Sequence, residues 1–253
     1  MLHCVTAHAY NDLTDWRTGT DAKSPGILSG GSWAIKNGLL TERNLRLAGI
    51  AGMVLPIVAG IYLSLFRGPL VLVFLLFGIW SSLSYTLPPF MLAYRPFLGE
   101  WLAGFPSIVS CTAGSYYVLT GEVSAKAFCT GALHGLLSLG WLMQHHLADI
   151  SADLCATPPK FTTAAFIYTR WGTSGARLTP WLYFFPAGIA GIVAGLLLDP
   201  AFFLTVIPSF LCICLTSKTD TSNIISITRN EIFMISVSAC HALILAVLFS
   251  LGY

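Results

Sequence analysis

Apolar segments of membrane-spanning length recur along this chain, and nothing constrains its fold more. A helix needs roughly 20 predominantly apolar residues to cross a bilayer. Segments near 44–66, 69–86, 98–119, 124–145, 176–197, 200–216 and 230–252 meet that requirement. Only 9% of the 253 residues are charged and 55% are hydrophobic, which is too apolar for an ordinary soluble domain of this length. Strand alternation is absent, so a β-barrel is not expected. Prolines within the segments (Pro56, Pro106, Pro186, Pro208) are tolerated because neighbouring helices re-satisfy the freed backbone groups. The expected fold is all-α, a polytopic transmembrane helix bundle of about seven spans with no soluble domain. Residues 1–10 are too short to span and lack the features of a signal peptide, and they read as the last turns of a helix.

Charge placement orients the bundle. With seven spans, the stretches 11–43, 86–97, 146–175 and 217–229 fall on one side. They and the adjoining helix ends hold every lysine and arginine except Arg67 and Lys126. The positive-inside rule makes that side cytoplasmic and puts Tyr253 outside. Segment 11–43 reads as a polar, Gly/Ser-rich loop with one short amphipathic stretch (34–40), and 146–175 as a second long polar insertion. Seven cysteines are scattered without CxxC spacing, as expected of small buried hydrophobes rather than ligands. No nucleic-acid partner is expected.

Five of the seven aspartates sit in two short clusters, both on the cytoplasmic side. The first is Asn11-Asp12-Leu-Thr-Asp15-Trp-Arg17-Thr-Gly-Thr-Asp21, in which Asn11 and Asp15 share a helix face at i and i+4. The second is Asp149-Ile-Ser-Ala-Asp153, again i and i+4, with Lys160 and Arg170 downstream. Taken singly, each cluster reads equally well as a solvated helix end. Two of them on one membrane face, in a chain otherwise poor in acid, point to a divalent metal. Oxygen ligands suit magnesium, which completes its shell with water and substrate phosphate. Nearby Lys and Arg side chains complete a diphosphate clamp. A calcium loop of EF-hand type fits poorly, since no glutamate closes the first cluster. A cation transporter would carry its acids near the bilayer midplane rather than at helix ends. A third motif, Tyr85-Thr-Leu-Pro-Pro-Phe-Met-Leu-Ala-Tyr94-Arg95-Pro-Phe-Leu-Gly99-Glu100, lies between the clusters. Its aromatics read as interfacial belt residues by themselves. Beside a diphosphate site, their faces can stabilise a developing cation, and Arg95 can reach a leaving phosphate.

In that order and spacing the three motifs resemble those of the UbiA superfamily of membrane-embedded aromatic prenyltransferases. The NDxxDxxxD motif appears as NDLTDWRTGTD, its final aspartate two places late, and DxxxD appears as DISAD. YTLPPFMLAYRPFLGE is similar to a stretch of the branch that prenylates dihydroxynaphthoate (MenA-like enzymes). The resemblance covers the chain from residue 8 onward as one domain. It implies nine helices, of which the first and most of the second are missing here. It also implies Mg2+ as cofactor, held by Asn11, Asp12, Asp15 and Asp21 with Asp149 and Asp153. A polyprenyl diphosphate donor would be bound by Asn11, Arg17, Lys23, Arg95 and Lys160, with Tyr85, Tyr94 and Arg95 at the reacting centre. The other partners implied are an aromatic acceptor and the lipid bilayer. Other acceptors stay open: hydroxybenzoate, homogentisate, a chlorophyllide or an archaeal glycerol phosphate. A non-catalytic membrane fragment is a further alternative. Where relatives carry asparagines before the second motif, this chain has His145-His146, and a Thr-Pro-Pro insertion shifts Lys160.

Overall fold

The structure, a computed structural model, describes residues 1–251. The expectation about Tyr253 lies outside the described residues. Helices are the sole regular element among the described residues. They run in order as α1 (His8–Thr18), α2 (Thr20–Lys23), α3 (Glu42–Arg67), α4 (Leu70–Ser84), α5 (Phe105–Thr120), α6 (Ala125–His146), α7 (Ile150–Leu154), α8 (Thr163–Arg177), α9 (Trp181–Leu197), α10 (Val206–Lys218) and α11 (Ile224–Ser250). A π-helical turn, Leu2–Ala7, leads into α1; another, Glu100–Gly104, leads into α5; and a 3-10 turn, Pro200–Thr205, leads into α10.

Local chemistry marks the starts of these helices. Four begin at a residue whose side chain accepts the orphan backbone N–H groups of the first turn. Thr41 accepts from Asn44, Ser124 from Ala127, Thr162 from Ala165, and Asn223 from Ile225 and Ser226. Large apolar side chains on α3, α9 and α11 face outward, among them Leu65, Phe66, Leu196, Leu197 and Ile225. That is the inverse of a water-soluble helix and suits a lipid environment. The buried interior lies where α6 meets α9, α10 and α11, around Leu137, Met143, Tyr183, Phe184, Cys212 and Met234. Gly140 permits the closest approach there, since a Cβ at that position would stand 2.4 Å from Cε1 of Phe184.

Among the described residues all seven apolar segments are mostly helical, with 176–197 interrupted by a turn at 178–180. Three helical stretches are individually long and apolar enough to cross a bilayer: Glu42–Arg67, Pro200–Lys218 and Ile224–Ser250. The pair α8–α9 meets the same test jointly, bent by 59° at the break. The 15 residues of α4 rise only about 22 Å, short of a hydrocarbon core of about 30 Å.

Two stretches differ from the sequence reading. Residues 163–175, expected to be polar loop, form most of α8. Thr163, Arg170, Thr173 and Ser174 lower its hydropathy, but Ala164, Ala165, Ile167 and Ala176 are buried, so it packs as an amphipathic helix. The stretch 34–40, read as part of a loop, is a chain of turns, closed at Gly38 with φ of 69°. Residues 11–23, also read as loop, are helical: the N-terminal helix continues past Asp12 and Asp15 to Thr18, and α2 carries Asp21.

Candidate active site

Both clusters occupy the same kind of place: a long helix ends, the chain turns, and one short helix follows. On α1, Asp12 and Asp15 are buried on the inner face. Gly19 then ends the helix in the left-handed conformation (φ 87°), which only glycine adopts without strain. That turn swings α2 around so that Asp21 faces the same side as Asp12. On the second cluster, α6 ends at His146, Asp149 precedes α7, and Asp153 lies within it. The two units are tied by backbone, with Thr157 N–H donating to the Thr18 carbonyl at 2.9 Å. Lys23 Nζ donates to the Cys155 carbonyl at 2.7 Å.

Lys160 stands where the clusters meet. Its Nζ lies 2.5 Å from Asp15 Oδ2 and 5.6 Å from the centroid of the Tyr94 ring. Its own backbone N–H donates to the Asp153 carbonyl at 2.9 Å. Asp15 is the most heavily engaged carboxylate. Asn11 Nδ2 donates to it at 3.0 Å and Tyr94 Oη at 2.8 Å, and Tyr94 Oη also bonds Thr18 Oγ1 at 3.0 Å. The i, i+4 face expected of Asn11 and Asp15 is therefore realised as a hydrogen bond.

A loop roofs the remaining acids. Ser24 and Ser29 both donate to Asp149 Oδ1, the latter at 2.9 Å, and the Ser32 N–H donates to Asp12 Oδ2 at 3.0 Å. At Gly31 (φ 74°) a Cβ would come within 2.3 Å of Asp21 Oδ2 and 3.2 Å of Asp12 Oδ1. No side chain fits there. Thr162 donates to Asp153 Oδ2 at 3.1 Å, which leaves Asp153 Oδ1 buried with no partner.

The electrostatics show more negative charge than one lysine balances. Burial pushes the Asp21 carboxyl up to about 8, and the charges of Asp15 and Asp12 push in the same direction. Burial likewise raises Asp153 to about 7, against the pull of Lys160. Burial works against the charged form of Lys160, but Asp15 and Asp153 outweigh it and hold the ammonium well above its usual range.

These donors suit a hard cation in kind: all are oxygens, and one is an orphaned buried carboxylate oxygen. Yet among the described residues no three His, Cys, Asp or Glu side chains form a ready-made metal cage. Asp15 is turned instead toward Lys160 and Tyr94, and Asp149 toward the serines of the roof.

Of the other residues singled out from the sequence, Tyr85 lies near Lys160, and the two arginines face outward. Tyr85 is half-buried, with its ring against Gly99 and its carbonyl accepting from Ala93 N at 2.8 Å. Arg95 is exposed, and its guanidinium has no hydrogen-bond partner among the described residues. Arg17 leaves the opposite face of α1 and pairs with Glu42 at 2.5 Å. It is not brought together with the carboxylates. Sequence reasoning missed the roof, in which Ser24, Ser29 and Gly31 had no motif to mark them; the two consecutive glycines at 30–31 were the one available signal.

No curated protein and no solved structure matches the chain. A family profile does match, that of the UbiA prenyltransferase family, over residues 1–224. The match takes in both aspartate clusters, Lys160 and the Tyr85–Glu100 motif, and members of this family use a prenyl diphosphate and an aromatic acceptor within the membrane. The chain belongs to the UbiA prenyltransferase family and is a membrane enzyme that transfers prenyl groups.

Proposed function

We propose that the chain catalyses Mg2+-dependent transfer of a polyprenyl group from an isoprenoid diphosphate to an aromatic acceptor in quinone synthesis, on the dihydroxynaphthoate (menaquinone) branch. The observation that carries this reading is the meeting of the two carboxylate clusters at Lys160, whose ammonium pairs with Asp15 and whose backbone N–H donates to the Asp153 carbonyl. The branch rests on YTLPPFMLAYRPFLGE, the motif that bears Tyr85, Tyr94 and Arg95.

Asn11, Asp12 and Asp15 would hold one ion, and Asp149 and Asp153 the other, with Asp21 contributing from α2. Bound there, Mg2+ supplies the charge that binds the diphosphate and offsets its growing negative charge as the C–O bond breaks. Lys160 is the internal counter-charge of Asp15 and, once that carboxylate is otherwise engaged, is free to reach a phosphate oxygen. Lys23 and Arg95, both at the rim, serve as further phosphate contacts; Arg17 is held by Glu42 and would have to exchange partners to join them. The faces of Tyr85 and Tyr94 shield the allylic cation from water. The acceptor ring attacks it, and loss of a ring proton, or of carbon dioxide where the ring bears a carboxylate, restores aromaticity. The apolar tail lies among the helices or leaves sideways into lipid. We read all seven apolar segments as spans, with the site on the cytoplasmic side, because that side holds all but two of the basic residues.

The test is a prenyl-transfer assay on membranes containing the chain, with farnesyl diphosphate, Mg2+ or EDTA, and dihydroxynaphthoate or hydroxybenzoate. Product with dihydroxynaphthoate that vanishes on chelation supports the reading. Product with hydroxybenzoate alone moves the branch and keeps the chemistry. Asp15→Asn or Asp149→Asn retaining more than about a tenth of activity would refute the metal roles, because such a clamp supplies several kcal/mol.

A further inference from the structure

The cytoplasmic end of α6 carries three consecutive polar residues, Gln144, His145 and His146. Gln144 does the tethering. Its Nε2 donates to the Ile227 carbonyl at 3.2 Å and to Thr219 Oγ1 at 3.4 Å, where Asn230 Nδ2 also donates at 2.9 Å. His145 makes a different contact. Its Nδ1 lies 2.8 Å from Oε1 of Glu231 on α11, whose side chain is only 4% exposed. An ionised carboxylate can only accept, so in the neutral imidazole Nδ1 carries the proton and Nε2 presents its lone pair. That Nε2 makes no hydrogen bond among the described residues, and the imidazole keeps 26% of its side-chain surface open.

A buried carboxylate that fixes the tautomer, beside a partly exposed imidazole whose other nitrogen has no hydrogen-bond partner among the described residues, is the arrangement of a general base. It stands one helical turn before Asp149. The charged and titratable groups around His145 are Glu231 from α11, Asp149 before α7, Lys160 from the loop beyond α7, and His146 on its own helix, rings 5.9 Å apart. Ionisable groups within a membrane bundle are costly and mark function more often than packing. With Gln144 already fastening α6 to α11, a second tether explains little.

We propose that His145, oriented by Glu231, is the proton acceptor for the hydroxyl of the aromatic acceptor. This rests on the prenyl-transfer reading above. The hydroxyl proton passes to Nε2, leaving a phenolate-like oxygen that makes the ring more nucleophilic. The ring carbon bonds to the allylic carbon as the C–O bond breaks and diphosphate leaves. The ring carbon then loses its proton to solvent, or carbon dioxide where it bears a carboxylate, the ring regains aromaticity, and the imidazolium returns its proton to the oxygen. The net products are prenylated phenol, diphosphate and either one proton or one carbon dioxide. His145 is the catalytic residue, and Glu231 positions it.

The experiment follows transfer to dihydroxynaphthoate or hydroxybenzoate against pH with the full chain, each variant checked for a monodisperse profile in detergent. For His145→Gln, kcat should fall about 100-fold, the lower end for a lost general base, while the KM of farnesyl diphosphate moves less than about threefold. The acid limb of its pH profile should disappear, and added imidazole should restore turnover to His145→Ala. Glu231→Gln should displace that limb, and Glu231→Asp should bring it back. A His145→Gln enzyme within about threefold of wild type, with the same pH profile, overturns the assignment. Should His145 variants fail to fold, an unmoved limb in Glu231→Gln overturns it equally. Wild-type chain that prenylates no phenolic acceptor overturns the functional reading and this inference with it, whereas wild-type turnover beside an unaffected variant overturns this inference alone.

Discussion

Two ion pairs of equal length make a direct test of how the site is held together. Lys160–Asp15 and Lys126–Asp199 both close at 2.5 Å, but the first has side chains 9% and 5% exposed and the second 46% and 11%. An exposed pair is screened by water and contributes about 0.2–1 kcal/mol. Removing one partner of a buried pair leaves an uncompensated charge and costs about 3–5 kcal/mol. Lys160→Met keeps most of the apolar stem and deletes the ammonium, so Asp15 and Asp153 lose their common counter-charge. For a chain of this size each kcal/mol shifts the melting temperature by about 2–4 °C. Metal-free Lys160→Met should therefore melt about 6–20 °C below wild type, and Lys126→Met no more than about 4 °C below it. The assay is thermal unfolding in detergent with EDTA. Mg2+ should recover part of the loss in Lys160→Met, since a divalent ion can take over the counter-charge, and should leave Lys126→Met unchanged. Equal melting shifts for the two variants would refute the reasoning, because burial would then have made no difference.

Two further outcomes follow from the acids and their roof. Asp21 and Asp153 have carboxyls raised to about 8 and about 7 from an ordinary value of 3.8. Between those limits the folded chain holds protons that the unfolded chain has lost, so metal-free stability should be fullest below pH 4 as far as these two groups go and decline as pH rises to 8. Melting curves in EDTA should show that fall and curves in Mg2+ should flatten it; a metal-free melting temperature that rises from pH 5 to 8 would contradict the raised carboxyls. Gly31→Ala and Gly38→Ala both place a side chain at positive φ (74° and 69°), a strain of about 1–2 kcal/mol. Only the first meets anything, the carboxylates of Asp21 and Asp12, so Gly31→Ala should melt lower than Gly38→Ala and need more Mg2+ for activity; matching variants would mean that the roof does not press on the acids.

Much of the site could be read in order along the chain. Asn11, Asp12 and Asp15 share a face because helical period alone dictates it, and the structure closes that spacing into the Asn11–Asp15 bond. Lys160 and Tyr94 were legible as residue types suited to phosphate and cation chemistry, but not as direct partners of Asp15, contacts that span 145 and 79 residues. Arg17 shows the opposite failure. Its position beside the aspartates in sequence suggested a shared role, but two residues along a helix is more than half a turn, and it pairs with Glu42 instead. Helix α8 was hidden because its buried face is mostly alanine and its polar residues are frequent, so hydropathy fell although one face is buried.

Composition and periodicity by themselves determined that this chain is an apolar helical bundle with its acids gathered at two helix ends. Those are properties of local sequence, since hydropathy over 20 residues and spacing over four need no knowledge of the rest of the chain. Tertiary structure alone decided that the two ends meet, that Lys160 is the charge between them, that Ser24 and Ser29 cover Asp149, and that His145 faces Glu231. Each of these is a contact between helices or loops far apart in sequence. Their partners are selected by how the bundle packs, and a buried charge must find whichever counter-charge that packing brings within reach.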